Sequence, residues 1–278
     1  MSIKTKPQVT IGIPCYNSEK TIERTLLSIR NQTYRKLKII ISNNNSTDDT
    51  YKICKKHSDI DDRIKVFNQP ENIGPSKNFQ FLYNRADTKY FMWIGSDDVI
   101  SHNFLENALK LITSNNNSFV SAVNNFDDNL SKNYDFSIKG NTYERLNKFL
   151  EIKYNSHSCF YSLFKRDKLK NYTKLSKNCV AFDWMIICHL LKDNNFLRLK
   201  DSKLTLGSEG ASKKRDLFEI HKNNKIKYVF PYFDFSFFFI YLVIFSNEMN
   251  INKKMFLIYK IIKFNFRFIT RFRLLLGI

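Results

Sequence analysis

Along the first hundred or so residues, short apolar runs ending in polar loops alternate with stretches whose apolar positions recur every three or four residues. Val9 to Ile13 is a β-branched run closed by Pro14, the pattern of a buried strand. The loop Cys15-Tyr16-Asn17-Ser18 follows, and Ser18 is placed to cap a helix starting near Glu19 that carries Ile22, Leu26 and Ile29 on one face. Leu37 to Ile41 predicts a second strand, running into the polar loop Ser42-Asn43-Asn44-Asn45-Ser46. Ser46-Thr47-Asp48-Asp49 then has the spacing of a capping box for the next helix. Ile64 to Phe67 predicts a short third strand, Pro70 to Pro75 a turn-rich loop, and Lys77 to Tyr83 the start of a helix. The fourth strand is Tyr90-Phe91-Met92-Trp93-Ile94, stopped by Gly95 and followed by Ser96-Asp97-Asp98, with helical spacing over His102 to Ile112 behind it.

Such alternation implies βαβ units and a mostly parallel sheet, hence an α/β fold. Polar residues stand at every strand end: Tyr16-Asn17, Asn43-Asn44, Pro70-Asn72 and Ser96-Asp98. Ligands of open α/β sheets bind beyond the carboxyl ends of the strands, so these loops are expected to converge on one crevice. In the second half, Phe119 to Val123 and Cys159 to Phe164 read as strands and Thr142 to Ile152 as an amphipathic helix. Val180-Ala181-Phe182-Asp183-Trp184-Met185 leads into an apolar helix ending near Leu191.

The C-terminal region differs. Val229 to Phe245 is almost continuously apolar, broken by Pro231 and Asp234, and falls short of the roughly 20 apolar residues of a spanning helix. Met255 to Leu276 interleaves bulky apolar residues with Lys260, Lys263, Arg267, Arg271 and Arg273. That spacing describes an interfacial helix on anionic lipid, or else a helical hairpin packed on the rest of the chain with a solvated basic edge. The number of aromatics without an obvious soluble core to join favours the lipid surface. The expected organisation is an α/β domain over residues 1–225, its halves meeting near residue 112, followed by a hydrophobic and basic helical region over 226–278.

Charge changes the picture moderately. The 278 residues carry a net charge of +19, which calls for an anionic partner: nucleic acid, nucleotide or membrane. Most lysines are dispersed among asparagines, but from Lys253 to Ile278 there are seven basic residues and no acidic one. No nucleic-acid recognition motif is present, so nucleic acid is not an expected partner. The five cysteines (Cys15, Cys54, Cys159, Cys179 and Cys188) show no CxxC spacing, which argues for free thiols in a reducing compartment. Met1 to Thr10 contains no apolar segment of the kind that directs secretion, so the cytosol or its membrane face is expected.

The candidate chemistry lies in acidic residues. Asp97 and Asp98 repel each other at a strand end, and either a divalent cation holding a diphosphate or an acidic solvated turn accounts for them. No GxGxxG or GxxxxGK[ST] is present, excluding the ordinary dinucleotide and P-loop readings. Asp183 suits the first turn of a helix, while Phe182 and Trp184 on either side would desolvate it and raise its basicity, as a general base requires. Asp48-Asp49, Asp61-Asp62 and Asp127-Asp128 lack a preceding apolar strand and read as caps or solvated loops. His157, His189 and His221 are isolated and read as surface or packing residues. Gly207 to Ser212 reads as a surface loop.

Ile13-Pro14-Cys15-Tyr16-Asn17, Asn43-Asn44-Asn45-Ser46-Thr47-Asp48, Asn72-Ile73-Gly74 and Trp93-Ile94-Gly95-Ser96-Asp97-Asp98 together resemble, in order and spacing, the inverting family 2 glycosyltransferases of GT-A fold. The resemblance covers residues 8–112 and extends more weakly to Asp183. It implies a nucleotide-contacting loop at Pro14, Cys15, Tyr16 and Asn17, with Glu19 near the base or ribose, and a donor site completed by Asn43, Asn44, Lys77, Asn78 and Ser96. Asn43 stands where the family usually has an aspartate for uracil, and Phe182-Asp183 where it commonly has Glu-Asp. Asp98 is the implied ligand of Mn²⁺ or Mg²⁺, Asp97 the implied sugar or ribose contact, and Asp183 the implied catalytic base. The resemblance further implies a hexose moved from a nucleotide sugar such as UDP-Glc or UDP-Gal to an undecaprenyl-diphosphate-linked saccharide. Such enzymes extend O-antigen or capsule at the cytoplasmic face of the bacterial inner membrane. The competing expectations are an inactive GT-A scaffold at the membrane, a basic nucleic-acid binder, and metal-free glycoside hydrolysis by Asp98 and Asp183.

Overall fold

Every position of the first strand, β1 (Val9–Cys15), is buried, because it runs mid-sheet with side chains covered on both faces. The computed structural model describes residues 8–115, 118–126, 136–170, 179–208 and 230–276, with side chains left aside at 123–126, 155, 157 and beyond Phe266. β1 pairs in parallel with β2 (Leu37–Asn43) and with β4 (Tyr90–Trp93), and β2 pairs in parallel with β3 (Ile64–Asn68). A two-residue antiparallel strand, β7 (Phe164–Lys165), closes the order β3-β2-β1-β4-β7. The crossovers are α1 (Ile22–Arg30), α2 (Thr50–Ile60) and α3 (Pro75–Arg85). All four parallel strands therefore deliver their carboxyl ends to one edge.

The two-residue strand period divides the core into two layers. Ile39, Ile41, Tyr90, Met92 and Ile94 face one side of the sheet, and Ile40, Phe91 and Trp93 the other. Gly12 makes the second layer possible. A Cβ there would meet Phe91 at 3.0 Å and Leu82 of α3 at 3.1 Å, so only a glycine lets that aromatic layer lie against β1.

A second sheet joins β5 (Val99–Ile100), β6 (Ser118–Phe126) and β8 (Asn195–Leu206) in the order β5-β8-β6, with β6 and β8 parallel around a bulge at Ala122/Val123. The sequence pattern did not signal β8. Around it lie α4 (Phe104–Ser114), α5 (Thr142–Ile152), α6 (His157–Phe160) and α7 (Phe182–Asp193). α8 (Phe233–Ile244) and α9 (Ile251–Leu276) form a C-terminal hairpin. Its buried residues Phe235, Phe239, Val243, Leu257, Ile261 and Phe264 belong to the same apolar cluster as Phe149, Trp184 and Trp93. The hairpin's inner face thus shares one core with the preceding elements.

Three local expectations are corrected. The strand predicted over Cys159–Phe164 is instead the helical turn α6 followed by β7. Cys159 N–H donates to Ser156 O at 2.8 Å and Ser162 Oγ to Cys159 O at 2.7 Å, bonds that curl the segment before it can extend. The capping box at Ser46 does not form: Ser46 Oγ donates to Asn43 Oδ1 at 2.5 Å, and α2 begins at Thr50, whose N–H is held by Asp48 Oδ1 at 3.0 Å. Ser18 does not cap with its side chain either. Its backbone carbonyl receives the Ile22 N–H at 2.9 Å, and its hydroxyl shares a hydrogen bond with Ser96 Oγ at 2.8 Å. Asp127, Asp128, His221 and the loop beyond Ser208 lie outside the described residues.

Candidate active site

Asparagine and serine side chains lace the strand-end loops to each other. Asn17, with the left-handed φ of 49° that asparagine tolerates, accepts the Thr47 N–H on Oδ1 at 2.9 Å while its own N–H donates to Ser46 Oγ at 3.0 Å. Glu19 N–H donates to Asp48 Oδ2 at 3.1 Å, and Glu19 Oε2 accepts from Asp49 N–H at 3.2 Å. Asn44 donates to Asn72 Oδ1 at 3.0 Å and accepts the Ile73 N–H at 3.0 Å, while Asn43 donates to Asn68 Oδ1 at 2.7 Å. Asn78 is buried on α3, where Oδ1 accepts from Ser42 Oγ at 2.6 Å and Nδ2 donates to Ser42 O at 3.1 Å. Pro14 and Cys15 are buried; Tyr16, Asn17, Glu19 and Lys77 are exposed. The predicted donor residues therefore divide into buried ties that shape the loops (Asn43, Asn44, Asn78) and side chains turned outward.

Asp97 and Asp98 are 8% and 3% exposed, so the solvated-turn reading of the pair is excluded. Asp98 Oδ2 accepts the Gly95 N–H at 3.0 Å, and Oδ1 accepts the Gly207 N–H at 3.0 Å. The Arg24 guanidinium donates to Asp97 O at 2.8 Å. Burial, and then the neighbouring charge of Asp97, push the Asp98 carboxyl up to about 7 against the two backbone N–H groups that favour its anion. Gly207, read from the sequence as part of a surface loop, is a component of the acidic site.

Asp183 reaches the same neighbourhood through rings. Trp93, just before the acidic loop, stacks on Phe160 with centroids 5.1 Å apart at 8°, and Phe160 meets Phe182 edge-on at 5.6 Å. Phe182 directly precedes Asp183 in the first turn of α7, which starts from Ala181 at a left-handed φ of 57°. Tyr161, next to Phe160, packs against both apolar clusters. Burial pushes its phenol far above the usual tyrosine range, and the charges of Asp98, Asp97 and Asp183 raise it further. The charges of all three acids thus reach Tyr161, although 85 residues separate Asp98 from Asp183. Tyr161 was missed by sequence reasoning, since a lone tyrosine after an apolar run carries no spacing signal.

A divalent cation fits this donor set. Two adjacent buried carboxylates raise each other's cost of ionisation, which a cation offsets. Among the described residues no cluster of three or more His, Cys, Asp or Glu would hold a metal alone. The remaining positions would then fall to substrate phosphate oxygens and water, the arrangement Mg²⁺ usually takes. A separate surface cavity of about 670 Å³, lined by Arg30, Arg35, Asp61 and Arg63, lies at the opposite edge of the sheet. There Arg30 and Arg63 bind Asp61 at 3.1 and 2.7 Å, forming a structural ion cluster.

The model of "Glycosyl transferase family 2" matches residues 10–173, which take in the four strand-end loops and Tyr161. The chain belongs to this family. A Campylobacter jejuni relative named GalNAc(5)-diNAcBac-PP-undecaprenol beta-1,3-glucosyltransferase is 31% identical over 174 residues, covering 59% of this chain and 54% of that protein. The chain spans 23% and 54% of the length of two curated relatives that it matches. The Staphylococcus aureus TarS fragment in complex with UDP-GlcNAc superposes with a TM-score of 0.71 at 16% identity, covering 92% of this chain and 71% of that one. The Pyrobaculum calidifontis mannosyltransferase in complex with GDP-Man and Mn²⁺ gives a TM-score of 0.57 at 16% identity, covering 94% and 74%. The α/β architecture of this family 2 chain is accordingly the GT-A fold.

Proposed function

We propose that this family 2 chain transfers a hexose from a nucleotide sugar, UDP-Glc or UDP-Gal, to an undecaprenyl-diphosphate-linked saccharide, inverting the anomeric centre. The reaction would serve O-antigen or capsular polysaccharide synthesis at the cytoplasmic face of the bacterial inner membrane. The observation that carries the reading is the ring contact Trp93–Phe160–Phe182, which ties the turn carrying Asp183 to the strand that ends in Asp97 and Asp98. A relative named for glucosyl transfer to a PP-undecaprenol-linked saccharide supports the donor sugar and the acceptor class.

In this reading Pro14 to Asn17, Glu19, Asn43, Asn44, Lys77 and Asn78 form the nucleotide cleft, the buried asparagines setting its shape and the exposed side chains meeting the donor. Ser96 and Asp97 orient the sugar or ribose, and Asp98 holds Mn²⁺ or Mg²⁺. When bound, the cation offsets charge on the leaving diphosphate. Asp183 takes the proton of the acceptor hydroxyl as that oxygen attacks the anomeric carbon. The glycosidic bond to the diphosphate breaks with its electron pair leaving on the nucleotide, so no covalent enzyme intermediate forms. Phe182 and Trp184 anchor the turn that carries the base, through Phe160 on one side and Tyr232 on the other.

The deciding experiment is a donor screen of nucleotide sugars against a lipid-diphosphate-GlcNAc acceptor with Mn²⁺, followed by determination of the product's anomeric configuration. Transfer with inversion, lost in Asp98→Asn and Asp183→Asn and on EDTA treatment, is the expected result. Transfer with retention, or undiminished turnover in either variant, would overturn it.

A further inference from the structure

Ten of the sixteen exposed large hydrophobic side chains among the described residues lie on α8 and α9, and an eleventh, Phe245, caps α8. On α8 they are Phe233, Phe237, Tyr241 and Ile244, and on α9 Ile251, Met255, Phe256, Tyr259, Ile262 and Phe266. Three- and four-residue spacing puts each set on one stripe, opposite the stripe that enters the shared core. Both helices thus carry an exposed apolar stripe in addition to the buried one. A solvated helix edge does not account for that pattern. Single exposed apolar residues are ordinary on a surface, whereas two adjoining stripes of this size mark a contact site.

The charges say what covers it. α9 carries seven basic residues and no acidic one over Ile251–Leu276. Lys260 is turned inward, donating to Asn147 Oδ1 at 2.6 Å and lying 3.6 Å from Glu151. Lys263 is exposed, its Nζ over the Tyr259 ring at 5.6 Å from the centroid, and Lys253 lies over Tyr143 at 5.2 Å. Exposed aromatic rings accompanied by lysines match the boundary between acyl chains and anionic headgroups. Among the described residues no helix is long and apolar enough to cross a membrane.

We propose that the outer face of the α8–α9 hairpin docks flat on an anionic lipid bilayer, its rings entering the headgroup boundary without spanning it. This deepens the lipid-linked acceptor reading and rests on it for the identity of the membrane. The hairpin's inner face holds α7: Trp184 stacks on Tyr232 at 5.2 Å and 7°, and meets Phe235 and Phe264 at 5.4 and 6.2 Å. Docking would therefore bring Asp183, one residue from Trp184, close to the lipid surface.

The test uses the full chain and vesicles of phosphatidylglycerol with phosphatidylcholine, or of phosphatidylcholine alone, with no saccharide-bearing lipid. The expected result is cosedimentation with anionic vesicles that weakens with salt. It should fall at least about tenfold in Phe237→Ser/Tyr241→Ser/Tyr259→Ser and in Lys253→Glu/Lys263→Glu, with unchanged thermal melts. Absence of wild-type binding, or equal binding by both variants, would overturn the proposal. So would a wild-type dimer that the ring substitutions convert to monomer, because the face would then belong to a second copy. Transfer to a water-soluble acceptor reports on the catalytic reading separately, and its failure beside intact vesicle binding would leave the docking face standing.

Discussion

Gly207 and Asp98 are 109 residues apart in sequence and joined by a 3.0 Å hydrogen bond from the glycine N–H to the carboxylate Oδ1. The contact binds the end of β8 to the loop after β4. It is so close that a Cβ on Gly207 would lie 2.4 Å from Asp97 O and 2.6 Å from Asp97 Cγ. Gly207→Ala should therefore push the acidic loop away from β8. We expect a loss of about 1–3 kcal/mol of stability, as for overpacking, with weaker Mn²⁺-dependent donor binding by calorimetry. Unchanged donor affinity would show that the Gly207 contact does not shape the site.

Asp98→Asn removes the charge while an amide of the same shape remains. One of the two N–H groups from Gly95 and Gly207 would lose its acceptor, but the repulsion from Asp97 would vanish as well. The two effects oppose each other. Transfer should fall by about 10²–10³, while Tm should move by less than about 5 °C. A collapse of Tm alongside activity would make Asp98 a folding residue first.

Asp61 gives the pH dependence that is simplest to separate from catalysis. The hydrogen-bonded Arg63 guanidinium, joined by Arg30, holds its carboxyl down at about 2. An acid lowered on folding contributes stability that is fully present above its unfolded value of about 4. That stability is lost as pH falls through the folded value of about 2. Asp61→Asn should cost about 1–2 kcal/mol at neutral pH by urea unfolding, and nothing measurable below about pH 2. Sugar transfer at permissive temperature should be unaffected, since Asp61 lies at the sheet edge remote from the site.

Trp184→Ala should cost about 3–5 kcal/mol, as large-to-small core changes do. It would also lower kcat, because the indole that anchors the turn carrying Asp183 is gone. Trp184→Phe keeps a ring against Tyr232 and should recover most of both. If Trp184→Ala melts early yet turns over normally below its Tm, the hairpin stabilises α7 without positioning the base.

The strands β1 to β4, their parallel pairing and the loops at their ends were legible in the sequence. Each is a local apolar run with its own turn chemistry, and four loops in family order identify the fold. The Asp97-Asp98 pair was legible for the same reason. β8 was not: Arg198, Lys200, Asp201 and Lys203 interrupt its apolar pattern, and Arg198 is nevertheless buried, donating to Ser158 Oγ at 2.8 Å and lying over the Phe196 ring. Its strand character comes from pairing with β6, far away in the chain.

The tertiary structure alone decided what surrounds the acids. The sequence determines which residues can form a buried strand ending in two carboxylates, since burial periodicity and charge are local properties. It does not determine that Gly207 closes on Asp98, that the charges of three distant acids reach Tyr161, or that Trp184 is clamped by the hairpin. Those contacts join segments tens to more than a hundred residues apart. They exist only once packing on both faces of the sheet has fixed where each loop must stand.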